Sequence, residues 1–175
     1  MMIPLPEQAQ MSELCGMAVD DFDGDGNLDV IINGNDFGTE VTTGRYDAFN
    51  GLMLKGDGKG GFKPLTILQS GIYIPGNGKA LVKLVGAKGK YLIAASQNRG
   101  PLKIFEMKKS AHPVKLLPMD TYAVIKYKDG RMTRQELYYG DSFLSQSGRF
   151  INIDNTMASV SIVDNDGHSR NIPLN

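Results

Sequence analysis

The stretch 19–34, VDDFDGDGNLDVIING, sets four loop carboxylates between two apolar runs. Asp21, Asp23, Asp25 and Asp29 take positions 1, 3, 5 and 9 of DFDGDGNLD, and Gly26 takes position 6. This is calcium-loop spacing: alternate residues of a tightly curled loop turn their oxygens to one centre, and glycine permits the sharp bend. Asn27, at position 7, offers its backbone carbonyl. No basic residue lies between positions 20 and 36, so the carboxylates repel one another unless a cation joins them. Position 12 is Ile32, where a helix-loop-helix hand would carry a bidentate glutamate, and both flanks are strand-like. The loop is therefore not an EF-hand, and an affinity of about 10⁻⁴ to 10⁻³ M is expected. The competing reading is a solvated acidic turn in which DGDG supplies hairpin chemistry alone.

On either side of it, CGMAVDDF (15–22) and LDVIING (28–34) read as a strand pair around the loop. GLMLKG (51–56) and FKPLTIL (62–68) follow, which makes four strands in the first unit. The pattern recurs in KALVKLVG (79–86), YLIAASQ (91–97) and LKIFEM (102–107), with VKLLP (114–118) as a fourth strand beyond the loop KKSAHP. Such a period is the signature of propeller-type blades. After position 118 come TYAVIKY, TRQELYY, FINID, MASVSIV and HSRNIPL, punctuated by KDG and NDG turns. The expectation is an all-β chain with two consecutive four-stranded blades over 1–118, divided near 70–76, and a small β domain over 119–175. No segment keeps helical apolar spacing over three turns, which excludes a bundle.

Composition narrows the function. Lysine plus arginine and aspartate plus glutamate number 19 each, so no net field attracts nucleic acid or anionic lipid. The single cysteine, Cys15, precludes an internal disulfide and reads as a small buried hydrophobe. No apolar run is long enough to span a membrane, and MMIPLPEQAQ lacks the features of a signal peptide.

The string at 19–34 resembles the FG-GAP or VCBS repeat, the calcium-loop blade of integrin-like propellers and many bacterial surface proteins. LKGDGKGGFKPL resembles the closing half of that blade. RQELYYGDSFLSQSGRFINID, with SVSIVDNDGHSRNIPL after it, is similar to the ASPIC and UnbV family, which follows such propellers directly. The resemblance covers nearly the whole chain. It implies Asp21, Asp23, Asp25, Asn27 and Asp29 as calcium ligands. In the second unit the corresponding turn, AKGK (87–90), carries two lysines, so no second calcium is expected there. The chain has no tryptophan, whereas the family often ends on a Trp-Pro strand, so the tail is carried over at the level of fold only. Members are mostly exported or surface-attached, which implies an extracellular, cell-surface or periplasmic location and a start within the blade array.

The resulting expectation is a calcium-binding, non-catalytic binding or adhesion module with a protein or glycan partner. Two alternatives remain at this stage: an accessory part of a polysaccharide-acting or hydrolytic enzyme complex, and a truncated product with no independent role. Two blades cannot close a ring that needs about four to eight. Each unit then leaves one broad apolar face, from residues such as Val19, Val30, Ile32, Val82, Leu84 and Ile93: either the two sheets pack face to face with the tail closing over them, which is the favoured expectation, or missing blades of another chain or a second copy cover it.

Other motifs are weaker. His112 and His168 fall in expected loops without metal-pair spacing. LSQS (144–147) lacks a glycine elbow and a partner histidine, so a capped turn is preferred to a serine nucleophile. DNDG (164–167) imitates half a calcium loop but reads as a hairpin turn. GDGKGG lacks the serine or threonine and the helix of a phosphate loop. Tyr122, Tyr127, Tyr138 and Tyr139 near Arg131 and Arg134 suggest either a ligand platform or ordinary strand packing, with packing favoured.

Overall fold

The computed structural model describes residues 3–108 and 112–174; the middle of the expected loop KKSAHP lies outside the described residues. Among the described residues the fold is all-β, with strands in four antiparallel sheets and helix confined to single turns. The first sheet is a meander of β1 (Leu14–Asp20), β2 (Asp29–Gly34), β3 (Leu52–Gly56) and β4 (Phe62–Leu65) in that order. The end of the expected fourth strand turns instead into a short helix, α1 (Ile67–Ser70), because Thr66 and Gln69 close a reciprocal capping box.

Period-2 alternation divides the first sheet into two apolar faces. Ala18, Ile31 and Met53 face a core shared with the second sheet, formed by β5 (Asn77–Val85), β6 (Tyr91–Asn98) and β7 (Lys103–Glu106). Leu81, Tyr91, Ile93 and Ala95 supply the opposite wall. Each large apolar side chain withdrawn here contributes roughly 1.5–3 kcal/mol. On the other face Ile32 and Leu54 are covered by Ala9, from the N-terminal turn, and by Phe49, from the long β2–β3 connection. Asn33 stitches the two sheets: its Oδ1 accepts from the Gly16 amide at 2.9 Å and its Nδ2 donates to the Ala80 carbonyl at 3.2 Å.

The two sheets thus pack against each other as expected, but of the residues expected on their apolar faces only Ile93 lies in the shared core. Ile93 is in the central core and Ile32 lies under Phe49, while Val19 keeps an exposed edge and Val82 and Leu84 are half-buried.

A second expectation is also corrected. The second sheet has three strands, and the segment expected to be its fourth forms β8 (His112–Lys115), which pairs with β11 (Phe150–Ile153). His112 therefore opens a strand rather than lying in a loop. The reason is apolar: Leu116 and Val114 pack with Ile151 and Ile153 into the core of the C-terminal sheets rather than against β7. The opposite wall of that core is a sheet of β9 (Asp120–Tyr127), β10 (Met132–Glu136), β12 (Met157–Asp164) and β13 (Ser169–Ile172), in the order β10-β9-β12-β13.

The tail also holds the second sheet. Ser147 Oγ accepts from the Lys83 amide at 3.0 Å, and the Gly148 amide donates to the Lys83 carbonyl at 2.7 Å, so LSQS seals the outer edge of β5. Phe150 packs edge-on against Tyr91 with ring centroids 5.8 Å apart.

Within the C-terminal unit the buried Asp120 carboxylate accepts from both terminal guanidinium nitrogens of Arg170 and from the Leu117 amide. The Arg170 guanidinium holds the Asp120 carboxyl below the usual carboxylate range, against the opposing effect of burial. A depressed folded value means that this pair's stabilisation is present above the unfolded pKa, about 3.9, and is lost as pH falls through the folded value. Arg170→Met is expected to cost about 3 kcal/mol at neutral pH, because it leaves a buried carboxylate without its cation. Urea denaturation should show the gap between variant and parent narrowing as the pH falls below about 4. A gap constant down to acid pH would mean that the pair contributes by packing alone.

Candidate metal centre

The loop between β1 and β2 is organised by its own carboxylates. Asp21 accepts from the Gly24 amide at 2.7 Å through one oxygen and from the Gly26 amide at 3.0 Å through the other. Asp23 accepts from the Asp25 amide at 3.1 Å, and Asp25 from the Asn27 amide at 2.8 Å. Each acidic residue folds the chain back over itself, and Gly24 and Gly26 make the reversal at φ 85° and 83°, where a side chain would be strained. Asp29, fully buried at the start of β2, ties three segments together. Its Oδ2 accepts from the Phe22 amide and its Oδ1 from the Gly56 amide, both at 3.0 Å. Gly56 is required there, since a Cβ would run into the Leu28 carbonyl.

Carboxylate oxygens of Asp21, Asp23 and Asp29 lie mutually within 4.8 Å. Oxygens 2.3–2.6 Å from one calcium ion are at most about 5 Å apart, so this set fits a single ion. Each carboxylate oxygen has a second lone pair, so accepting an amide proton does not disqualify it. Burial raises the Asp29 carboxyl, and Asp23 and Asp25 add to the rise, against the lowering effect of its two amide donors. Its negative charge is thus costly in the protein alone, and a cation would relieve that cost. Asp25 is not in the group of three, and the Asn27 side-chain oxygen lies on Arg131.

Two cations reach the loop from elements far away in sequence. Lys55, on β3, contacts Asp23 Oδ2 and lies 3.0 Å from Asp25 Oδ2. Arg131, from the turn between β9 and β10, donates to the Gly26 carbonyl at 3.0 Å and to Asn27 Oδ1 at 3.1 Å. For Asp25, burial raises the carboxyl, but the Asn27 amide and the Lys55 ammonium outweigh it and hold it below the usual range. The absence of basic residues within the loop sequence thus does not describe its folded surroundings. Lys55 had a signal in the strand register: Val30 pairs with Leu54, which brings the next residue of β3 alongside Asp29 and the loop mouth. For Arg131 no short-range signal existed.

The other motifs take structural places. Asp164 accepts from the Asp166 and His168 amides at 3.0 and 2.9 Å, closing the β12–β13 hairpin. Oxygens of Asp164 and Asp166 and a nitrogen of His168 also lie within 4.8 Å of one another, with Asp166 and His168 exposed. Three of the four tyrosine rings are faced by guanidinium groups: Arg134 on Tyr122 at 3.7 Å, Arg149 on Tyr139 at 3.9 Å and Arg131 on Tyr127 at 5.1 Å. Two cavities flank the C-terminal sheets. One of about 440 Å³ runs from Met17, Val19 and Leu28 to Tyr127 and Tyr138, and a larger one of about 1210 Å³ reaches Gly24 of the loop.

Fold and site together define an all-β protein with an acidic loop suited to a hard cation. No protein-family model matches the chain, and no curated protein matches it. No helix among the described residues is long and apolar enough to cross a membrane.

Proposed function

We propose that this chain is a calcium-stabilised, non-catalytic binding module built on propeller-type blades. The observation that carries the reading is the convergence of Asp21, Asp23 and Asp29, two of them buried, at a spacing that one calcium ion spans. Asp25 and Asn27, the remaining members of the set implied by the FG-GAP or VCBS resemblance, are adjacent on the same loop. The blade reading is supported by the β1-β2-β3-β4 meander and by the contact of Gly16 on β1, through Asn33, with Ala80 on β5. The ASPIC and UnbV resemblance of the tail agrees with its position sealing the edge of the second sheet. Weak affinity suits millimolar calcium and hence an extracellular or surface setting, where the partner is a protein or a glycan.

Thermal melting tests the reading. Calcium at ten times Kd stabilises by about 1.4 kcal/mol, which for a chain of this size raises Tm by roughly 3–5 °C. Asp21→Ala combined with Asp23→Ala should abolish the shift, and Asp164→Ala combined with Asp166→Ala should leave it intact. Equal loss in both pairs would contradict a single site in the β1–β2 loop.

A further inference from the structure

We infer that Lys55 is a tethered cation that holds the acidic loop together until a divalent ion displaces it, and so sets the ion concentration at which the site fills. The inference rests on the metal reading above. Lys55 Nζ binds Asp23 and lies 3.0 Å from Asp25, and Asp23 is also one of the three carboxylates with converging oxygens. An ammonium and a divalent ion therefore contend for the same carboxylate, and at a separation of a few ångströms they repel each other. The strand that presents the ammonium is not adjustable: the neighbouring Gly56 amide binds Asp29, and Gly56 lies against the Leu28 carbonyl. The lysine stem is. Its four-carbon chain is flexible and its side chain is 38% exposed, so the ammonium can swing into water while β3 stays in place.

The two cations are not equivalent. An ammonium offers three donors from one point and here bridges two carboxylates, whereas calcium takes six to eight oxygens and can gather the whole loop. Without an ion Lys55 offsets the charge of Asp23 and Asp25 while the loop's own amide contacts keep its curl; with one, the ion wins once its concentration offsets the cost of displacing the lysine. Lys55 thus weakens calcium binding while steadying the loop when calcium is absent.

Calorimetric calcium titration of the full chain tests this with Lys55→Gln, Lys55→Arg and Lys63→Gln. Lys63 is exposed on β4 directly opposite Lys55 in the strand register and controls for net charge. Lys55→Gln should bind calcium about tenfold more tightly than the parent, a difference of about 1.4 kcal/mol. Lys55→Arg and Lys63→Gln should stay within about twofold of the parent. Without calcium, Lys55→Gln should melt below the parent, and its calcium-induced rise in Tm should be the larger. If that variant folds only when calcium is added, the midpoint of its recovery replaces the calorimetric Kd. Parent-like or weaker binding by Lys55→Gln, or equal tightening by Lys63→Gln, overturns the role of Lys55 and leaves the site standing. No calcium response in any of the four proteins overturns the site reading and this inference with it.

Discussion

A chain ending at Pro118 is expected to self-associate under conditions in which the full chain remains monomeric. The cut removes the segment that seals β5, so the Lys83 amide loses Ser147 and the Lys83 carbonyl loses Gly148. It removes β11 from β8 and takes Phe150 away from Tyr91. It also uncovers Leu116, which is buried in the intact protein. An open strand edge beside fresh apolar surface is a template for pairing with another chain. Static light scattering, with dilution to check reversibility, should report dimers or larger species and a lower Tm. A truncated chain that stays monomeric and as stable as the parent would show that the tail only rests on the first two sheets.

A large single-residue effect, comparable to that of Arg170→Met, is expected at Asp29, and it should appear with all divalent ions chelated. Asp29 is fully buried and accepts amide protons from Phe22 and Gly56, which joins the end of β1 and the end of β3 to the start of β2. Hydrogen bonds to a charged acceptor contribute about 1.5–3 kcal/mol each, and removing the acceptor strands both donors in a buried place. Against this stands the desolvation that raises the Asp29 carboxyl. The net loss for Asp29→Ala is therefore expected at about 3 kcal/mol by urea denaturation. Asp29→Asn keeps one acceptor but turns an NH₂ towards an amide donor, so its loss should be intermediate. A loss below about 1 kcal/mol for the alanine variant would mean that Phe22 and Gly56 find other acceptors.

Both expectations depend on contacts of different legibility. Many of the strands could be read because they are short apolar runs set off by turns that carry glycine, proline or aspartate; β2 and β6 are examples. The acidic loop could be read because its carboxylate spacing is a local property of nine residues. What could not be read was pairing at a distance. VKLLP looks like any short apolar strand, and only the shape of the C-terminal core decides that Val114 faces Ile151 rather than β7. The same holds at the site. Asp23 and Asp25 look like an uncompensated pair along the chain, yet Lys55 and Arg131 arrive through sheet register and through the docking of the C-terminal unit. LSQS, weighed as a nucleophile and as a turn, is an edge seal, and that role exists only once β5 is in place.

The stitch made by Asn33 has a consequence for how the protein ages. Asn33 is followed by Gly34, and an asparagine before glycine is the step most prone to lose its amide, by attack of the next backbone nitrogen on the side-chain carbonyl. Here the backbone is an extended strand and the side chain is fully buried, held by Gly16 and Ala80, so the ring that attack requires cannot form. Deamidation must wait for β2 to open. Once it has happened, an acceptor oxygen stands where the Ala80 carbonyl needs a donor, and the strand does not reclose on the same terms. The ring so formed loses ammonia and is opened by water to isoaspartate or aspartate, so the slow growth of those products at position 33 is expected to track how often the joint between the two sheets comes apart.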